Sequence, residues 1–176
     1  MKKIYFVISY TGTPLSRLIK IYTKNKYAHI SLALDKELDR LYSFGRHNPY
    51  IFFYGGFVRE GINIGTFKRF KKTEVVIYSK EVEDEKYKKM EEFIAQMEIE
   101  KKKYKFNILG LFFVGLNRRI ERKNKNTLYC AEFVRNVLNA GEIDASTLPQ
   151  IIKPQDFMEL EGLECVYEGL LRSYCP

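Results

Sequence analysis

Tryptophan is absent from this 176-residue chain, histidine occurs twice and cysteine three times. Two histidines exclude a metal centre built from several imidazoles. Cys130, Cys165 and Cys175 are odd in number, far apart and without CxxC spacing. That argues against a disulfide framework and against a structural zinc site. No apolar run approaches the length that spans a bilayer. No heptad pattern is sustained, so a long coiled coil is excluded, and neither an internal repeat nor a low-complexity linker divides the chain. The opening MKKIYFVISYTG has the basic start and apolar stretch of a secretion signal. Its apolar core is short, contains Tyr5, and is followed by no small-residue cleavage site. A first β-strand is the simpler expectation, with no targeting signal and a cytoplasmic location.

Hydrophobic residues make up 45% and charged residues 30%, which suits a packed core in one domain over residues 1–176. The formal net charge of +8 is unevenly placed. Residues 101–125 hold nine bases and one acid, whereas residues 81–100 hold eight acids and three lysines. The basic stretch encloses FNILGLFFVGL, which is apolar rather than groove-like. It fits a solvated loop beside a core helix, or contact with a membrane surface or lipid. A nucleic-acid face is the weaker alternative.

Local patterns give an α+β reading with a mostly antiparallel sheet packed against helices. Strands are expected at 4–9, 27–34, 40–44 and 73–79, with short extended pieces at 57–61 and 63–67. A helix is expected from Thr13–Pro14 through about Thr23, with Thr as cap and Pro in the first turn. Further helices are expected at 84–98, 127–138 and 153–160. Residues 106–116 read as a buried helix or a lid. Gly45, Gly55 and Gly56 suit loop geometry, and the aromatic loop at 46–54 suits a cleft wall or a surface loop.

Two residues stand out chemically. Cys130 lies in NTLYCAEFVRNVL, where Thr127 can cap a helix and leave Cys130 in the first turn. There a thiolate is favoured by the helix's unpaired N–H groups, which also suit a developing oxyanion. His29 sits in a strand with Ser31 and Ala33 on the less hydrophobic face. An imidazole there can exchange a proton with a thiol and a leaving group. A hydrogen-bonded core histidine and a buried cysteine are the plainer alternative. Cys165, among Leu163, Val166 and Tyr167, reads as a buried hydrophobe, and Cys175 as exposed.

YAHISLALD followed much later by LYCAEFVRNVL resembles the circularly permuted branch of the NlpC/P60 superfamily of papain-like cysteine hydrolases. In particular it is similar to the YiiX/YebB-like group, in which the His strand precedes the Cys helix. The resemblance extends over the opening strand and helix, the partner strand LYSFG and the late KPQDF. It implies a permuted papain-like fold, with Cys130 as nucleophile and His29 as base. It also implies a third polar residue orienting the imidazole. Glu60 ranks first for that role because a carboxylate favours the imidazolium, Ser43 second and His47 third. Tyr10 and Tyr129 are lesser candidates for oxyanion support.

The implied reaction is acyl transfer from an amide, ester or thioester, to water or to another acceptor. Nothing in the sequence calls for a metal or an organic cofactor. The expected substrates are a small peptide, an amino-acid conjugate or a lipid acyl group. A catalytically inactive binding module of the same fold is the main rival.

Overall fold

Residues 2–10 alternate in side but not in polarity. Ile4, Phe6 and Ile8 enter one core, while Tyr5 and Val7 enter another. A strand buried on both faces reads as one continuous apolar run. This is why the N-terminus imitates a signal segment. The structure is a computed structural model that describes residues 1–23, 25–48, 51, 54–115 and 126–176.

The architecture is α+β, built on a six-stranded antiparallel sheet of order β4-β3-β2-β1-β5-β8. Its strands are β1 (Lys2–Tyr10), β2 (His29–Ala33), β3 (Leu41–Arg46), β4 (Gly55–Glu60), β5 (Glu74–Val82) and β8 (Leu163–Leu170). A short parallel pair, β6 (Lys105–Phe106) and β7 (Thr127–Leu128), stands apart. The helices are α1 (Pro14–Thr23), α2 (Gly65–Arg69), α3 (Asp84–Ile99), α4 (Ile108–Gly115) and α5 (Cys130–Ala140). The larger core joins one sheet face to α1, α3, α4 and α5 through residues such as Leu15, Met90, Leu111 and Phe133. The smaller core lies on the opposite face, under Phe67 of α2 and the C-terminal Leu171 and Tyr174. No helix among the described residues is long and apolar enough to cross a membrane.

Several local expectations hold. Thr13 caps α1, its Oγ1 accepting from Ser16 N–H at 3.2 Å. Residues 108, 111 and 114 of the apolar segment are buried in the larger core, so α4 is packed there as a helix.

Other expectations are corrected. Residues 63–67 are not extended. Gly65 takes a φ of 55° and opens α2, which turns Phe67 into the smaller core. Residues 153–160 form a 3-10 turn, Pro154–Glu159, with Asp156 Oδ2 accepting from Lys153 N–H at 2.7 Å. Cys165 is exposed rather than buried, because β8 is an edge strand with a mostly exposed pattern. Gly45 lies in β3, and Gly55 and Gly56 in β4, rather than in a loop. A Cβ on Gly56 would stand 2.5 Å from the Tyr104 carbonyl oxygen, so these glycines admit backbone at close range. Tyr50, Phe52 and Phe53 of the aromatic loop, and residues 116–125 of the basic stretch, lie outside the described residues.

Candidate functional site

Thr127 does not cap the helix. Thr127 and Leu128 instead pair in parallel with Lys105 and Phe106, which holds the backbone extended as far as Tyr129. Tyr129 takes the cap position with extended dihedrals, and Glu132 Oε2 accepts its N–H at 3.2 Å. Helix α5 therefore begins at Cys130 itself. The first N–H groups of a helix have no carbonyl one turn back to bond, so the thiol stands at the donor-rich end of α5. Phe133 anchors this helix on the sheet, its ring 5.6 Å from Phe44 and 5.7 Å from Phe57, centroid to centroid. Cys130 is buried, at 3% exposure.

His29 is the first residue of β2, not an interior one, and lies opposite Ser9 of β1. Its side chain lies on the β2 face of Ala33, which enters the smaller core, whereas α5 and Cys130 belong to the larger core on the other face. They meet because the sheet is open between them. The ladders of β2 with β1 and of β3 with β4 run to their ends, at Ser9–His29 and Arg46–Gly55. Between β2 and β3, by contrast, only Leu32–Tyr42 and Ala33–Leu41 pair. Continued register would set Ser31 against Ser43 and His29 against Gly45. There the strands part, and one cavity of about 60 Å³ takes its walls from both cores. Leu15, Phe44, Leu111 and Cys130 come from the larger core, and Phe67, with His29 and Glu60, from the other side.

Glu60, at the end of β4, holds His29. Both carboxylate oxygens lie 3.2 Å from His29 Nε2. The pair is largely withdrawn from water, with side-chain exposures of 19% and 13%. Ser31 Oγ donates to Glu60 Oε2 at 2.5 Å and lies 3.3 Å from His29 Nε2. Burial works against a charged imidazole here. The charge of Glu60, the nearby Cys130 and the hydrogen bond with Glu60 outweigh it and raise the His29 pKa from 6.5 to about 10. Burial likewise opposes ionisation of Glu60, but His29, Ser31 and Ser43 hold its pKa below the ordinary carboxylate value.

The other sequence candidates are placed differently. Ser43 is fully buried near Glu60 and favours its charge. Its Oγ completes no hydrogen bond of ordinary geometry among the described residues. His47 faces away into a neighbouring groove and packs on Tyr54, ring centroids 4.9 Å apart. The Tyr129 hydroxyl donates to the Ile152 carbonyl at 3.0 Å, a structural tie rather than an oxyanion contact. Tyr10 does not line the cavity and carries Lys20 Nζ 4.6 Å above its ring. Sequence reasoning missed Ser31 as a participant, although its position two residues from His29 on the same strand face was the available signal. It also missed Arg46, which lines the cavity and donates from Nη2 to Thr13 Oγ1 at 3.2 Å. No cluster of three or more His, Cys, Asp or Glu suited to a metal ion occurs among the described residues.

No family model matches the chain, and no curated protein or solved structure matches it either. Function has to be read from the geometry of the site.

Proposed function

We propose that this protein is a thiol hydrolase or acyltransferase that uses Cys130 as nucleophile and His29 as acid and base, on a circularly permuted NlpC/P60-like, papain-like fold. The observation that carries the reading is His29 bound to the Glu60 carboxylate in a cavity that Cys130 also lines. A buried imidazole with a carboxylate on one nitrogen and a cysteine in the same cavity suits nucleophilic catalysis. Glu60 beside His29 Nε2 favours this reading over an inactive binding module of the same fold.

In this reading the Cys130 thiolate attacks the carbonyl carbon of an amide, ester or thioester. The S–C bond forms, and the carbonyl oxygen takes up the electron pair against the first N–H groups of α5. His29 gives its proton to the leaving amine, alcohol or thiol, which departs. It then takes a proton from water or a second acceptor, which attacks the acyl-enzyme and frees the sulfur. Glu60 and Ser31 hold the ring in register throughout. Leu15, Phe44, Phe67, Phe106 and Leu111 give the cavity apolar walls that suit the acyl part of a peptide, an amino-acid conjugate or a lipid.

The test is peptide-resolved alkylation of the folded protein with iodoacetamide. Cys165 and Cys175 are exposed and serve as internal references. Cys130 should react faster per accessible thiol below pH 8, and His29→Ala should abolish that advantage. A Cys130 rate indifferent to His29→Ala overturns the proposal.

A further inference from the structure

We propose that the substrate of this site is a short acyl group, acetyl to propionyl in size, carried on a larger leaving group. The proposal rests on the reading of Cys130 and His29 above and names the substrate class of that site.

The leaving atom has to reach His29, since the imidazole supplies its proton. The leaving group therefore lies on the side of His29 and Glu60. Glu60 lines the small cavity and also a wider groove of about 390 Å³, and Arg46 and Thr66 are common to both as well. A bulky leaving group has room to continue along that groove. The acyl part points the other way, among Leu15, Ile19, Phe106 and Leu111, which line the cavity and not the groove.

That end is small, and its walls are fixed. The cavity holds about 60 Å³. By comparison, a cavity of about 150 Å³ takes a single benzene ring, and one water needs about 15 Å³. The room corresponds to roughly four water-sized groups, the heavy atoms of a propionyl group. Phe44 is packed between the rings of Phe57 and Phe133, centroids 6.2 and 5.6 Å away. Leu15 follows the capped start of α1. Asn107 fixes the start of α4. Its Oδ1 accepts the Gly110 N–H at 2.8 Å, its carbonyl accepts the Leu111 N–H at 3.1 Å, and its own N–H donates to the Leu128 carbonyl at 2.8 Å. Leu111 is thereby tied to the strand that leads into Cys130. Interiors are close-packed, and added methylenes force side chains or backbone to shift. A hexanoyl chain has no place there without such a shift, and a long lipid chain still less.

The experiment follows nitrophenolate release by the full chain from the p-nitrophenyl esters of acetate, propionate and hexanoate. The rate of Cys130→Ser is subtracted, and each difference is divided by the rate with free glutathione. The thiolate attacks the ester carbonyl, the S–C bond forms and the C–O bond breaks. Nitrophenolate leaves, and water then hydrolyses the S-acyl cysteine. The normalised rate should be similar for acetate and propionate and lower by roughly tenfold or more for hexanoate, in line with the cost of overfilling a packed site. Leu111→Ala should raise the hexanoate-to-acetate ratio severalfold, and Leu15→Ala serves the same purpose if Leu111→Ala does not fold. A hexanoate rate equal to the acetate rate, or a ratio unmoved by the folded wall variants, overturns the proposal. So does the absence of Cys130-dependent release from the acetate ester. The wild-type profile decides the matter even if neither variant folds. Failure of the dyad shows separately, in an iodoacetamide rate indifferent to His29→Ala, so the size limit and the dyad can each fail alone.

Discussion

Replacing Glu60 by Gln removes one charge from the site and keeps its shape. The side chain lies with both oxygens 3.2 Å from His29 Nε2, so the charge centres are about 4 Å apart. At that separation and an effective dielectric constant of about 20, the attraction is about 4 kcal/mol, equivalent to about three pKa units. From the wild-type value of about 10, His29 in Glu60→Gln should fall to about 7 or lower, since burial still opposes its charge. The assay is an NMR titration of the imidazole resonances, which is simple because the chain has only His29 and His47. His47 should titrate below 6.5 in both proteins, since burial and then Lys101 lower its pKa. Wild-type His29 should remain charged from pH 5 to beyond pH 8.5. The stability consequence has a definite sign. A folded-state pKa above the unfolded value of 6.5 means that the stabilisation is complete below pH 6.5. It is lost as the pH rises through about 10. This loss, at most about 5 kcal/mol at 1.36 kcal/mol per unit, should shrink sharply in Glu60→Gln. Wild-type His29 titrating near 6.5, or His29 of Glu60→Gln still above about 9, would refute the reasoning.

Three other substitutions probe the supporting structure. Ser31→Ala deletes the hydroxyl that donates to Glu60 at 2.5 Å. It should raise the Glu60 pKa, followed by carboxyl titration, with Ser31→Thr restoring it, because the Ser31 hydroxyl is among the groups that hold that pKa down. Gly56→Ala places a Cβ 2.5 Å from the Tyr104 carbonyl oxygen and should cost about 1–3 kcal/mol in urea unfolding; an unchanged midpoint would contradict the close approach. Phe133→Ala empties a fully buried site between Phe44 and Phe57 and should cost about 3–5 kcal/mol, measured the same way.

What could be read from the sequence follows the range of the forces involved. The α1 start was legible because Thr13 and Pro14 act on their own helix. The inner face of α5 was legible because Phe133, Val134, Val137 and Leu138 recur at helical spacing. Its true start was not, because a pairing with Lys105 and Phe106, more than 20 residues earlier, draws Thr127 and Leu128 into extended form. Helix α5 ends at Gly141 without a left-handed cap. Its φ is −80°, and a Cβ there would meet Met90 Cγ of α3 at 2.4 Å. Cys165 was misread because its apolar neighbours in sequence suggest a core, whereas an edge strand leaves them exposed.

The meeting of His29 and Cys130 belongs to the illegible part, and the reason shows what the site requires. Scarcity singled out the two residues, but alternation puts His29 on the face away from α5. Only the parting of β2 from β3 brings them together, and no local pattern encodes where two strands stop pairing. The parting has a marker in the side chains around it. Ser9 and Ser43, from the strands on either side of β2, are both fully buried; Ser9 Oγ has no hydrogen-bond partner among the described residues, and Ser43 Oγ faces Glu60 without completing a bond of ordinary geometry. Unsatisfied buried hydroxyls oppose folding. On the same sheet face valine or alanine would pack without that cost, as Val7 of β1 and Ala33 of β2 do in the smaller core. Gly45 completes the arrangement, since a Cβ there would come within 3.8 Å of His29 Cε1, and larger side chains would fill the opening. A row of small polar residues and a glycine, set where an ordinary sheet would be apolar, lowers stability locally and leaves room for a charged imidazole and its carboxylate. Departures from locally optimal packing concentrate at working sites, and here they surround one histidine.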